Sequence, residues 1–173
     1  MIAIDLATVP PTAKVTPAVL QALAEAGRVL IRQFHDDDAK PVVGSYVENS
    51  AVSNELEVNW QEPTAPMLWT HANNKDATEH GAYAIAIWIA DVLGFAVLGR
   101  TQQGSGADWL LIPKNGPEND FYKMEVSGIA EGGNLAIRLD QKATQGRGGN
   151  LDRPGRAVVV RFSDMTVLAR TWS

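Results

Sequence analysis

The stretch FYKMEVSGIAEGGNLAIRLDQKATQG, residues 121–146, decides how this chain is read. Phe121 to Ile129 reads as a strand, and side chains alternate across a strand. Lys123, Glu125 and Ser127 therefore share one face, and Met124 and Val126 share the other. A carboxylate in so apolar a segment needs a partner, because an unpaired buried charge is strongly disfavoured. EGGN at 131–134 then opens a helix over Leu135 to Gln145, and GRGGN at 146–150 stops it. On that helix Arg138, Lys142 and Gln145 are spaced by four and three residues, which puts them on one face.

Working outward, Asp76 followed three residues later by Glu79 reads as a capping box that starts a helix over Ala77 to Leu93, ended by Gly94. From Ala82 onward this helix is apolar on nearly every face, so it is expected to be buried. Phe95 to Gln102 reads as a strand, QGSG at 103–106 as a tight turn, and Ala107 to Ile112 as a second strand that makes a hairpin with the first. Asp108 opens that second strand, directly after GSGA, where glycine allows a tight turn and close approach of another group. Beyond the helix lie a valine-rich strand, Ala157 to Phe162, a turn at Ser163-Asp164, and a last strand, Met165 to Thr171. From Asp76 the order is helix, three strands, helix, strand, plus one appended strand. The predicted class is α/β, a mixed sheet flanked by helices. If the second and third strands are neighbours, Asp108 and Glu125 converge. Two hard oxygen ligands of this kind suit Mg²⁺ or Mn²⁺, which keeps several waters and adds substrate phosphate.

The N-terminal part carries less. Thr16-Pro17 is an N-cap followed by proline at the first helical position, and the helix it begins runs to the acidic residues Asp36 to Asp38. PVVGSYV is a short apolar stretch, Asn54 to Trp60 reads as an edge strand or β-arm, and Gln61 to Met67 as a connecting loop. Residues 1–74 are thus expected to be a helix plus strand and loop extension, and residues 75–173 an α/β core, within one compact domain. The 173 residues, 45% of them hydrophobic, suffice for one core.

Composition removes several function classes. Cysteine is absent, which excludes a disulfide framework, a thiolate zinc site and a cysteine nucleophile. The N-terminus lacks the basic-then-apolar pattern of a signal peptide. Ala82 to Val97 falls short of the roughly 20 residues a membrane span needs, so a cytoplasmic protein is expected. The formal net charge of −5 argues against whole-surface attraction to polyanions. The acidity is concentrated early, however: residues 1–80 hold 5 Lys/Arg against 11 Asp/Glu, and residues 81–173 hold 10 against 9. One basic stretch stands out, with Arg138, Lys142, Arg147, Arg153, Arg156 and Arg161.

Asp108, Glu125-Val126-Ser127 and the αβββαβ order over residues 76–162 together resemble the PD-(D/E)XK superfamily of restriction-endonuclease-like nucleases. Asp108 and Glu125 stand where that family places its Asp and its (D/E)-X-K. The resemblance implies a restriction-endonuclease-like core and Mg²⁺-dependent hydrolysis of nucleic acid, DNA being the expected substrate, with Asp108 and Glu125 as metal ligands. Ser127 departs from the pattern, since the family usually has lysine there. Some members supply it from the helix after the third strand, which makes Lys142 the candidate, to orient the attacking water or stabilise developing phosphorane charge. Lys123 is the runner-up. Glu79 would match an additional carboxylate on the first core helix, so the implied catalytic set is Glu79, Asp108, Glu125 and Lys142. Arg138, Arg147, Arg153 and Arg156 would then hold the nucleic-acid backbone. Members of the family often cut duplexes as dimers, and the acidic N-terminal region suits a second copy or another protein partner.

Each residue also has a structural reading. Asp108 can cap its turn, Glu125 can sit in a buried salt bridge with Lys142 or Arg138, Glu79 can serve the capping box, and Arg138 and Lys142 can be a solvated helix face. These readings describe a second candidate function, a catalytically inactive module of the same fold that binds nucleic acid or a protein. Other motifs fail. GGNLAIR lacks the ending of a P-loop and the spacing of a dinucleotide fingerprint. No G-x-S-x-G elbow exists, and His71 and His80 lack the surroundings of a zinc site. Trp60 and Trp69 are candidates for stacking on a base.

Overall fold

The structure is a computed structural model that describes residues 1–11, 14–35 and 40–173. The acidic residues Asp36 to Asp38, expected to end the first helix, lie outside that set. Its elements in chain order are β1 (Ile2–Asp5), α1 (Pro17–Phe34), β2 (Val42–Glu48), β3 (Val52–Asn59), α2 (Ala65–Thr70), α3 (Asn74–Val92), β4 (Phe95–Arg100), β5 (Trp109–Pro113), β6 (Tyr122–Ile129), α4 (Leu135–Arg147), β7 (Gly155–Arg161) and β8 (Thr166–Trp172).

The strands form one mixed sheet in the order β1-β3-β2-β8-β7-β6-β5-β4. β6 runs parallel to β7, and β4, β5 and β6 are successively antiparallel. The N-terminal strands join through β2, which pairs in parallel with β8. Helices cover both faces, as the α/β reading requires. α1 and α3 pack with Trp109, Met124, Val126, Val158 and Val160 in the main core, and α4 covers Ala157 and Val159 on the other face. The unbroken valine run of β7 follows from this: a strand covered on both faces needs apolar side chains in both directions. For α3, every residue from Gly81 to Ala90 is buried, because the sheet lies on one side and α1 on another.

Three local expectations are corrected. Asn73, not Asp76, caps α3, its side chain accepting from the backbone N–H groups of Lys75 and Asp76. The helix therefore starts a turn earlier, and Glu79 has no capping duty. β3 is not an edge strand, since β1 and β2 pair with it on either side. The segment 61–67, read as a loop, already contains the start of α2 at Ala65. Among the described residues no helix is long and apolar enough to cross a membrane.

Candidate functional site

The site arises where β5 leaves β6. The two strands pair only at Trp109↔Met124, Leu110↔Lys123 and Leu111↔Tyr122, whereas β6 continues beside β7 as far as Ile129. Among the described residues, the side of β6 that faced β5 thus has no strand partner beyond Met124. The Asp108 backbone N–H donates to the Met124 carbonyl at 3.0 Å, and the Asp108 Oδ2 accepts from the Val126 backbone N–H at 2.9 Å. A carboxylate thereby takes the place of the missing strand at the first free N–H. This fixes Asp108 beside Glu125, and two open clefts meet there. One, of about 520 Å³, has Asp108, Glu125 and Gln145 in its wall. The other, of about 530 Å³, has Asp108, Glu79, Arg138 and Lys142.

Glu125 is 1% exposed on the sheet face that α4 covers. α4 buries Leu135, Leu139, Ala143 and Gly146, and the side chains flanking that stripe reach Glu125. Lys142 Nζ donates to Glu125 Oε2 at 2.7 Å, and Gln145 Nε2 donates to Oε1 at 3.2 Å. Lys142 Nζ also reaches the Gln145 Oε1 at 3.3 Å, closing a ring of three side chains. Burial pushes the Glu125 carboxyl above its ordinary range; the Lys142 ammonium opposes this, and the nearby Asp108 charge adds to it.

On the α3 side the Tyr83 hydroxyl stands between two carboxylates, 2.6 Å from Glu79 Oε1 and 3.3 Å from Asp108 Oδ1. A phenol has one proton to give, and the shorter bond goes to Glu79. Burial, the bond to Glu79 and the Asp108 charge all raise the Tyr83 pKa, so the phenol stays neutral. The Arg100 guanidinium lies 5.1 Å and 5.0 Å from the ring centroids of Tyr83 and Trp109, a cation–π arrangement.

Lys123, the alternative lysine, shares the face of Glu125 as strand alternation requires, yet its Nζ is committed elsewhere. It donates to the carbonyls of Leu151 at 2.7 Å, Gly148 at 3.1 Å and Ser105 at 3.4 Å. Its ammonium thus ties the 103–106 turn to the segment after α4. Burial lowers its pKa. The two loops also approach closely through their backbones: a Cβ on Gly106 would stand 2.5 Å from the Gly148 carbonyl oxygen, and one on Gly149 would stand 2.6 Å from Ser105. Both glycines also have positive φ.

The predicted nucleic-acid contacts separate. Arg138 is exposed in the wall of the second cleft. Arg147 is exposed at the end of α4, and Arg153 lies over the Phe121 ring. Arg156 is a correction: it pairs in register with Met124, so it projects from the opposite sheet face. There it is 9% exposed, 3.4 Å from Glu48 and over the Phe95 ring. Arg161 pairs with Asp164. Of the stacking candidates, Trp60 is buried with its N–H on the Lys40 carbonyl, and Trp69 is 82% exposed. Tyr83, Arg100 and Lys75 line the clefts and were not singled out from sequence. Only Tyr83 left a trace there, four residues after Glu79 on the same helix.

The carboxylates present suit a hard cation. Among the described residues no group of three or more His, Cys, Asp and Glu side chains converges, so an ion here would rest on Asp108 and Glu125 and complete its shell with water and substrate oxygen. Burial does most to raise the Glu125 pKa and the Asp108 charge adds to it; a cation between the two carboxylates would offset that second contribution. Comparison with protein-family models, curated proteins and solved structures returns no match.

Proposed function

We propose that this chain is a metal-dependent nuclease that hydrolyses phosphodiester bonds of nucleic acid, with DNA the expected substrate, on a restriction-endonuclease-like core. The observation that carries the reading is Lys142: a lysine from the helix after the third core strand meets the buried Glu125 at 2.7 Å, beside an aspartate anchored to the next residue of that strand. This is the constellation expected when the motif lysine is displaced, with Ser127 in its usual position.

Asp108 and Glu125 would hold Mg²⁺ or Mn²⁺, which when bound supplies Lewis acidity and a water of lowered pKa. The remaining work belongs to the chain. Asp108 is anchored to β6 at both ends, its backbone N–H on the Met124 carbonyl and its carboxylate on the Val126 N–H, so its position is set before substrate arrives. Lys142, 18% exposed, reaches from the buried carboxylate toward the cleft, where its ammonium can orient a water or stabilise negative charge on phosphorus-bound oxygen. Arg138, one turn earlier on α4, and Lys75 at the start of α3 supply positive charge for the backbone.

The ion pair also supports the second reading. Both Glu125 oxygens already have donors, Lys142 and Gln145, so the group is satisfied as a purely structural unit in a catalytically inactive module that binds nucleic acid or a protein. One experiment separates them: Mg²⁺-dependent cleavage of single- and double-stranded DNA and RNA by the wild type and by Asp108→Asn. The nuclease reading expects cleavage lost by a factor of at least about 100 in a variant whose circular dichroism is unchanged. Undiminished cleavage by Asp108→Asn, or none by the wild type on any substrate, refutes it.

A further inference from the structure

The two clefts that meet at Asp108 differ in chemistry. The one toward α3 carries Lys75, Arg138 and Lys142. The one toward the 103–106 turn starts from Asp108 and Glu125 and is walled beyond them by Arg100, Thr101, Gln102, Gln103 and Gln145, with amides and backbone where the first has ammonium and guanidinium groups. Among the described residues that line it the one cation is Arg100, stacked against Tyr83 and Trp109. Its walls are also built. Lys123 spends a buried ammonium on three carbonyls of the two loops, and the Asn150 N–H adds a bond to the Gly104 carbonyl at 3.3 Å. A lysine buried to 1% exposure thus ties the two walls together.

We infer that this amide-lined cleft is a subsite for an unpaired nucleobase adjacent to the scissile phosphate, an inference that rests on the nuclease reading and assigns single-stranded or frayed nucleic acid as its substrate class. A phosphodiester presents anionic oxygens on one side and an uncharged planar base on the other. The cationic cleft matches the first, and the amide cleft matches the second. A glutamine side chain offers two donors and an acceptor, the combination that reads base edges, and about 520 Å³ lies within the range of small-ligand sites. A base can enter only when it is out of its stack, so paired duplex is excluded from this half of the site. Gln102 and Gln103 are specificity-determining residues here. Both are exposed, and their removal leaves the Lys123 clamp in place.

The test is fluorescence anisotropy with a short single-stranded oligonucleotide and a series carrying one abasic site at successive positions, with Ca²⁺ replacing Mg²⁺. One abasic position should weaken binding to the wild type about tenfold, the scale of one hydrogen-bonded contact to a base edge. In the Gln102→Ala/Gln103→Ala variant that difference should vanish while the dependence of affinity on salt persists. Salt-dependent binding that no abasic position weakens overturns the subsite and leaves the nuclease reading standing. An abasic penalty equally large in the double variant places the base elsewhere and also overturns it. Failure of the wild type to bind any oligonucleotide at low salt ends both.

Discussion

Replacing Lys142 by methionine keeps most of the aliphatic stem and removes the charge that faces Glu125. The carboxylate is 1% exposed and the Lys142 side chain 18% exposed, so little water is at hand to replace the ammonium. Breaking such a pair from one side typically costs 3–5 kcal/mol. Gln145 still donates to Oε1, and the carboxyl can escape by taking up a proton, so about 3 kcal/mol is expected at pH 8. For a chain of this length that corresponds to a melting temperature lower by roughly 6–12 °C. The sign with pH follows from the raised Glu125 pKa, which the variant raises further by losing the Lys142 contribution. A carboxyl whose folded pKa exceeds its unfolded value favours the fold most below the unfolded value and loses that contribution as pH rises through the folded one. The deficit of Lys142→Met should therefore shrink toward pH 4.5 and grow toward pH 8, and Lys142→Met/Glu125→Gln should recover most of it at pH 8. Thermal and urea denaturation of the wild type, both single variants and the double variant at the two pH values measures this. A deficit independent of pH, or no recovery in the double variant, would show that Lys142 contributes packing and that the pair is not electrostatically coupled.

Two further outcomes are expected. Tyr83→Phe removes the hydroxyl that donates to Glu79; it should cost about 1 kcal/mol in urea denaturation and leave Mn²⁺ affinity by calorimetry nearly unchanged, because the phenol's one proton goes to Glu79, and a several-fold loss of Mn²⁺ affinity would show that the hydroxyl holds Asp108 instead. Lys123→Met strips one donor from three carbonyls, which should cost about 2–3 kcal/mol and speed amide hydrogen exchange selectively at residues 103–106 and 148–151; protection unchanged in both loops would mean that backbone contacts alone hold them.

Strand alternation and helical spacing carried much of the site. They placed Lys123, Glu125 and Ser127 on one face and Arg138, Lys142 and Gln145 on another, and those two faces meet. Period-two and 3.6-residue geometry are local properties, so a sequence displays them directly. The sheet-and-helix class was legible for the same reason. Which group on a face reaches which partner is not local. Lys142, and not Arg138, bonds Glu125, and Lys123, two residues from Glu125 on its own face, turns to loop carbonyls contributed by residues 105, 148 and 151.

The remaining misreadings share that origin. Arg156 belonged to a basic run in sequence, but one step along β7 turns it to the opposite face of the sheet, where Glu48 from a distant strand neutralises it. Asp76 and Glu79 had the spacing of a capping box, yet Asn73 took the cap, and Glu79 was left for Tyr83. Sequence alone determined that Glu125 is a carboxylate among apolar neighbours, and therefore that something must answer it. Only the tertiary structure decided the answer, because β5 diverges from β6 after a few pairs and leaves the Val126 N–H for Asp108. The cleft exists because two strands stop pairing there, and that depends on residues far apart in the chain.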